Sequence, residues 1–175
     1  MRDSRKLVYI SGAPGSGKST LAGPLAAELG YASLRKDRIK ETLHDALGAP
    51  PPDRAWSRRL GAAAMELLWA LAADAPAVVI EANFRPYSEY ERAKLMGLAA
   101  HPVEVHCECP PELAVARYNA RATPPVHVVT TLTLDAMAEY DHPVGLGTLV
   151  TVDTTAPVDI PALATRVRQI WREPS

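Results

Sequence analysis

Residues 7–20 read Leu7-Val8-Tyr9-Ile10-Ser11-Gly12-Ala13-Pro14-Gly15-Ser16-Gly17-Lys18-Ser19-Thr20. Positions 12–19 fit G-x-x-x-x-G-K-[ST], the P-loop or Walker A spacing. Gly12, Gly15 and Gly17 free the backbone to take positive φ and to approach a phosphate closely. Successive N–H groups can then face inward as an anion nest. The helix that follows adds the positive end of its dipole. The Lys18 ammonium can reach β- and γ-phosphates, and the Ser19 hydroxyl can sit on Mg²⁺. Such a motif needs a strand before it and a helix after it. Leu7–Ile10 is an apolar run with Val8 and Tyr9 in it, and Leu21-Ala22 and Leu25-Ala26 recur at helical spacing. The expectation is a nucleoside triphosphate held along Gly12, Ala13, Pro14, Gly15, Ser16, Gly17, Lys18, Ser19 and Thr20.

The bulk numbers frame that expectation. A length of 175 residues suits one domain, residues 1–175. Apolar residues make up 47% and charged residues 22%, ordinary values for a soluble globular chain. The longest apolar runs are too short to cross a bilayer. The N-terminal apolar run is the strand feeding the P-loop rather than a signal-peptide core. These features predict a cytoplasmic protein with no membrane partner. Residues 1–59 carry 11 Lys/Arg against 6 Asp/Glu, whereas residues 60–175 carry 8 against 14. The basic half holds the P-loop, which suits an anionic ligand, but the excess is too mild to argue for nucleic acid. Cys107 and Cys109 lie two apart on one expected strand face and are poorly placed to bridge each other. With His106 they make a poor zinc set, since no second ligand pair follows, so both read as packing residues.

Strands and helices alternate along the rest of the chain. After the P-loop helix, which contains Pro24 and is expected to kink there, Tyr31–Leu34 reads as a second strand. Arg35-Lys36-Asp37-Arg38-Ile39-Lys40 opens a helix to about Leu47, with Asp37 at the N-cap position. Residues 48–52 form a proline-rich rigid loop. Residues 53–73 form a long amphipathic helix carrying Arg54, Trp56 and Arg58. Residues 76–83 are a continuous apolar strand suited to burial on both faces. It ends in Glu81, at the edge where open α/β sheets bind ligands; Glu81 reads either as a Mg²⁺ or hydroxyl partner or as a plain strand-end carboxylate. A helix over 86–98, a strand centred on Val103 and Val105, and a helix opened by Pro110-Pro111 follow. On that helix Arg117 and Arg121 are four apart and are expected to share a face. Pro124-Pro125-Val126-His127 could fold over bound nucleotide, and the arginine pair could stabilise a transferring phosphoryl group. Residues 133–140 read as a short helix, Thr148–Asp153 as the fifth strand, Thr154–Pro157 as a turn, and Ile160–Trp171 as a closing amphipathic helix. This alternation predicts an α/β fold with a parallel sheet and right-handed crossovers.

Four blocks in this order, ISGAPGSGKSTLA, LRKDRIKETL, VVIEANF and ARYNARATPPVH, give the chain a wider likeness, with VTVDTTAPVDIPALA as a weaker fifth. The chain resembles the small P-loop kinases of an AAA-domain, kinase-like grouping, close to the chloramphenicol phosphotransferase, zeta-toxin and polynucleotide 5′-hydroxyl kinase families. The resemblance implies a three-layer P-loop NTPase fold: a five-stranded parallel sheet of order 2-3-1-4-5 with helices on both faces. It implies ATP, or GTP, with Mg²⁺ as cofactors. It makes Asp37 the general base toward the acceptor hydroxyl and Lys40 a neutralising charge beside it. Glu81 and Asn83 match a carboxylate-x-Asn pair at the third strand's end, where relatives often carry Asp; Phe84 completes the block. Arg117 resembles an arginine packed on adenine, Arg121 a lid arginine on the transferring phosphate. The turn Thr154 to Pro157 looks like the other adenine wall, with Thr155 and Pro157 as its nucleotide contacts. His127 matches a lid histidine of unassigned role.

The combined reading is an ATP-dependent phosphotransferase acting on a hydroxyl of a small-molecule acceptor. Lys18, Asp37 and Arg121 are its catalytic residues, and Ser19 and Glu81 hold the metal. Arg54, Trp56 and Arg58 are expected near the acceptor, because residues 38–73 lie between the second and third strands; Asp37, Lys40, Glu81, Asn83 and Phe84 are expected there too. One alternative is a polynucleotide 5′-hydroxyl kinase, disfavoured by the lack of a basic, aromatic-lined tunnel. A regulatory ATPase is the alternative of another class.

Overall fold

The computed structural model describes residues 5–48, 53–128, 131–140 and 142–172. Five strands, β1 (Lys6–Ser11), β2 (Ala32–Arg35), β3 (Ala77–Glu81), β4 (Val103–Glu108) and β5 (Thr148–Asp153), form one sheet of order β2-β3-β1-β4-β5. Every neighbouring pair is parallel, with Val8 opposite Val79 on one side and Val103 on the other. Six helices connect them: α1 (Lys18–Leu29), α2 (Lys36–Ala46), α3 (Arg54–Asp74), α4 (Glu89–Leu98), α5 (Pro111–Ala120) and α6 (Ile160–Ile170). The sheet order and fold class are those the resemblance implies. Residues 49–52 of the expected rigid loop lie outside the described residues.

Burial follows the strand period. Leu7, Val8, Tyr9 and Ile10 are all fully buried, because β1 has neighbours on both edges and helices on both faces. Val8 and Ile10 pack with Leu21, Leu25, Val105 and Val167, toward α1 and α6. Leu7 and Tyr9 pack the other way, with Leu68, Trp69, Phe84 and Leu95 of the α3 and α4 side. Each such aliphatic side chain contributes about 1.5–3 kcal/mol on burial, so two apolar layers hold β1 still. The chain crosses from β1 to β2 on one side of the sheet and from β3 to β4 on the other, so the strand order reverses at β1 and a crevice opens beyond its C-terminal end.

One polar cluster interrupts the second layer. Glu104 on β4 has no exposure. Ser11 Oγ donates to its Oε1 at 2.5 Å, and the Val144 and Gly145 N–H groups donate at 2.8 Å each. Tyr9 Oη lies 2.8 Å from Glu104 Oε2 and accepts from the Leu146 N–H at 3.1 Å. A carboxylate with this many donors meets the condition for burying charge. It fastens the 144–146 segment onto β1 and β4. Cys107 is buried on the α1 side, where burial pushes its thiol up to about 12, and Cys109 is half-buried near Arg117.

Several boundaries differ from the sequence expectations. Asp37 is not an N-cap: Arg35 holds that position without a side-chain cap, and Asp37 lies within the first turn of α2. The P-loop helix runs unbroken past Pro24 to Leu29. Helix α4 begins at Glu89 rather than near Pro86, because Ser88 caps it and Arg85 pairs with Glu91 at 2.8 Å. Arg121 caps the C-terminus of α5 in extended conformation, so it does not share a helical face with Arg117. Residues 133–140 shorten to a 3-10 turn over Asp135–Tyr140.

Candidate active site

The loop between β1 and α1 takes the backbone that its glycines permit. Gly12, Gly15 and Gly17 have φ of 129°, 82° and 93°. Gly15 has a second constraint: a Cβ there would stand 2.1 Å from the Ala114 carbonyl oxygen. Thr154 Oγ1 sits 2.6 Å from Ser16 O and 2.9 Å from Glu108 O, tying the loop to the ends of β4 and β5. Lys18 Nζ donates to Ala13 O at 2.6 Å. Burial pulls its ammonium below the ordinary lysine range, while Glu81, Cys107 and Asp37 oppose that pull. Ser16 Oγ is buried and has no hydrogen-bond partner among the described residues. A cationic side chain and a glycine-lined cradle together fit a triphosphate tail.

A cavity of about 600 Å³ opens from this loop. Pro14, Gly15, Gly17, Lys18, Ser19, Thr20, Asp37, Glu81, Asn83, Arg117, Arg121, Thr155 and Pro157, all expected from the sequence, line it. Gly12, Ala13 and Ser16 support the loop without lining the cavity. Thr154 and Ala156 of the expected adenine-wall turn line it as well, whereas the sequence reading missed Leu21, Pro24, Val158 and Ile160, which supply much of the apolar wall. Pro24 carried a signal, since its ring projects from α1 one turn past the P-loop. Arg117 Nη1 donates to Thr154 O at 2.8 Å and Nη2 to Thr155 O at 3.0 Å. The guanidinium fork thereby fixes the turn after β5 as one wall of the cavity.

A second cavity of about 300 Å³ adjoins the first, lined by Ser19, Arg35, Asp37, Arg38, Glu41, Glu81, Arg121, Thr123, Pro124 and His127, with Ala122. Ser19, Asp37, Glu81 and Arg121 border both spaces. Asp37 accepts from Lys36 Nζ at 3.0 Å. Burial alone would raise the Asp37 carboxyl; the Lys36 charge and hydrogen bond, with His127 and Lys40 behind them, outweigh it and hold the group below the usual carboxylate range. Glu81 behaves oppositely: burial raises its carboxyl despite the Lys18 charge and the hydrogen bond from Ser19. Ser19 and Glu81 are hard oxygen donors in mutual contact, which fits Mg²⁺.

Five residues expected at the acceptor lie elsewhere. Phe84 is 1% exposed and packs against Tyr9 and Trp69 in the core, with ring centroids 5.9 and 5.7 Å away. Lys40 is buried and donates to Ser57 Oγ at 2.7 Å, joining α2 to α3. Trp56 donates from Nε1 to His44 Nδ1 at 3.3 Å on the same seam. Arg54 and Arg58 are exposed on α3 and line neither cavity. Arg35, Arg38 and Glu41 take the place assigned to them.

The sequence pattern of the AAA domain family matches residues 7–143. The chain belongs to that family. Among solved structures, this AAA domain is similar to a candidate kinase from Chloroflexus aurantiacus J-10-fl, at 30% identity and a TM-score of 0.78, over 95% of this chain and 98% of the other. It shares its fold with the shikimate kinase of Acinetobacter baumannii in complex with shikimate, at 17% identity, TM-score 0.61, and coverage of 97% and 94%. It shares it also with the APS kinase of Mycobacterium tuberculosis in complex with AMPPNP and APS, at 19% identity, TM-score 0.60, and coverage of 98% and 99%. The AAA domain described here is a small P-loop kinase, a phosphotransferase by family and fold.

Proposed function

We propose that this kinase moves the γ-phosphoryl group of ATP to a hydroxyl on a small molecule. One observation carries the reading: the nucleotide cavity and the smaller cavity meet at Ser19, Asp37, Glu81 and Arg121. Phosphoryl transfer needs such a junction, with the donor phosphate on one side and the acceptor oxygen on the other.

The residues divide the work. The P-loop amides and Lys18 hold the β- and γ-phosphates. Ser19, with Glu81 behind it, would hold Mg²⁺, which when bound neutralises phosphate charge. Asp37, kept ionised by Lys36, accepts the proton of the acceptor hydroxyl as its oxygen bonds to phosphorus. ADP leaves with the electrons of the broken phosphorus–oxygen bond. Arg121 faces the charge that develops on the phosphoryl oxygens. Its ring partner Tyr118, 4.4 Å from the guanidinium, restricts where the fork points. The 300 Å³ acceptor space matches a metabolite-sized molecule.

The test is incubation with γ-labelled ATP, Mg²⁺ and a metabolite and antibiotic panel, with product identified by mass. Asp37→Asn is expected to abolish labelled product while nucleotide affinity stays within about twofold. Full transfer by Asp37→Asn would refute the assignment. ATP hydrolysis insensitive to every acceptor would favour a regulatory ATPase.

A further inference from the structure

The cavity beyond Asp37 holds both signs of charge, and only one sign is matched internally. Its carboxylates are engaged: Glu41 with His127 at 3.0 Å, Asp37 with Lys36 at 3.0 Å, and Glu81 with Ser19. Its guanidiniums are not. Among the described residues, Arg35 and Arg38 form no ion pair and no side-chain hydrogen bond, although Arg35 lies near enough to Glu81 to favour its charged form. Both line the smaller cavity and neither lines the nucleotide cavity. They therefore stand on the acceptor side of the transferring phosphate, separated from it by Asp37. Arg121, which lines both spaces, is the arginine for the phosphoryl group.

On the phosphotransferase reading above, we propose that the acceptor is an anionic hydroxy compound, carrying a carboxylate or phosphate group that Arg35 and Arg38 bind. Two planar forks facing one small space suit an anion with two or more terminal oxygens. A neutral acceptor filling about 300 Å³ would strip water from the half-buried Arg35 and from the cavity side of the more exposed Arg38, and return no charge. A cationic acceptor would add repulsion to that cost. The anionic group must also sit away from the reacting hydroxyl, because Asp37 occupies the junction and would repel it there. The acceptor is then a molecule whose hydroxyl and anion are separated by several bonds. The lid side chain His127 closes the remaining wall.

The test uses the full chain with Mg²⁺ and γ-labelled ATP. A small-molecule filtrate of a cell extract, supplemented with hydroxy acids, sugar phosphates and their neutral polyol counterparts, is divided on an anion-exchange resin at neutral pH. Labelled product is expected from the retained half alone. Phosphatase treatment of that half separates the two sources: loss of product marks a phosphate-bearing acceptor, and survival marks a carboxylate. The double variant Arg35→Gln, Arg38→Gln is expected to raise the acceptor KM about tenfold or more while the ATP KM stays within about twofold. Product from the unretained half, or an acceptor KM unmoved in the double variant, overturns this proposal and leaves the kinase reading intact. Product from neither half overturns the kinase reading, and this proposal with it. Circular dichroism of the double variant guards against a folding defect. The single variants Arg35→Lys and Arg38→Lys, which keep charge but lose the fork, are expected to restore part of the affinity.

Discussion

Glu41 Oε1 and His127 Nε2 meet at 3.0 Å, joining α2 to the segment that follows α5. Both side chains line the smaller cavity, the proposed acceptor site, so the contact closes one side of it. The pair is partly shielded, with His127 13% and Glu41 28% exposed, and a hydrogen bond of this kind contributes about 1 kcal/mol. His127→Ala and Glu41→Gln are each expected to raise the acceptor KM about fivefold. The double variant should cost little more than either single one, because both remove the same contact. Steady-state kinetics over the four proteins checks this; fully additive losses would mean that the two residues act separately.

As the proposed base, Asp37 is expected to set the acid limb of activity. Its folded carboxyl lies below the ordinary range, so the ionised form that accepts a proton persists as pH falls past the usual carboxylate values. Lys36 supplies the leading charge and the hydrogen bond in that effect. Removing the cation favours the neutral acid, so Lys36→Met is expected to move the acid limb of kcat/KM to higher pH. A pH profile of both proteins measures the shift. An unmoved limb would detach Asp37 from the proton transfer.

Gly15→Ala attacks the phosphate loop by two routes. The new methyl would stand 2.1 Å from the Ala114 carbonyl, and φ of 82° disfavours any side chain. Strain of the left-handed conformation alone costs about 1–2 kcal/mol. Nucleotide affinity is therefore expected to fall at least about tenfold. Calorimetric titration with AMPPNP tests it, and wild-type affinity would exclude that loop as the phosphate cradle.

Tyr9→Phe keeps the ring contact with Phe84 and removes one hydroxyl from the Glu104 cluster. Glu104 loses a donor and the Leu146 N–H loses its acceptor, both in buried surroundings. Unfolding in urea is expected to show a loss of about 1–3 kcal/mol. A change under about 0.5 kcal/mol would mean that the cluster relaxes around the loss.

Arg117→Ala should loosen the turn whose two carbonyls it holds. The ATP KM is expected to rise about fivefold or more, with the acceptor KM little changed, because Arg117 lines only the larger cavity. Equal rises in both constants would place Arg117 in a general structural role.

The phosphate loop was legible because its chemistry fixes residue types at fixed spacing, and Thr148–Asp153 was legible to the residue because a run rich in β-branched residues ends at a turn. The acceptor wall was less so. Arg54 and Arg58 were placed by their position between two strands, but only the packing of α3 on α2 decides which of its faces meets the cavity, and both side chains face solvent. Phe84 was grouped with the neighbouring Asn83, yet its ring turns into the core beside Tyr9. Arg121 was read on a continuing helix; the chain leaves α5 at Ala120, ahead of the Pro124-Pro125 pair that disfavours helix before it. Arg35 and Arg38 sat inside a recognised block, hidden because helix-start cations usually face water.

The Glu104 cluster constrains how the molecule can open. The stretch leading into β5 is fastened through Val144, Gly145 and Leu146 to the same strand that carries the phosphate loop. Gly147 adds a close seat, since a Cβ there would lie 1.9 Å from the Pro102 carbonyl. The downstream root of the segment bearing Arg121 and His127 is thus hydrogen-bonded to side chains of β1 and β4. Val144 marks the upstream limit of the chain that is seated together with the phosphate loop.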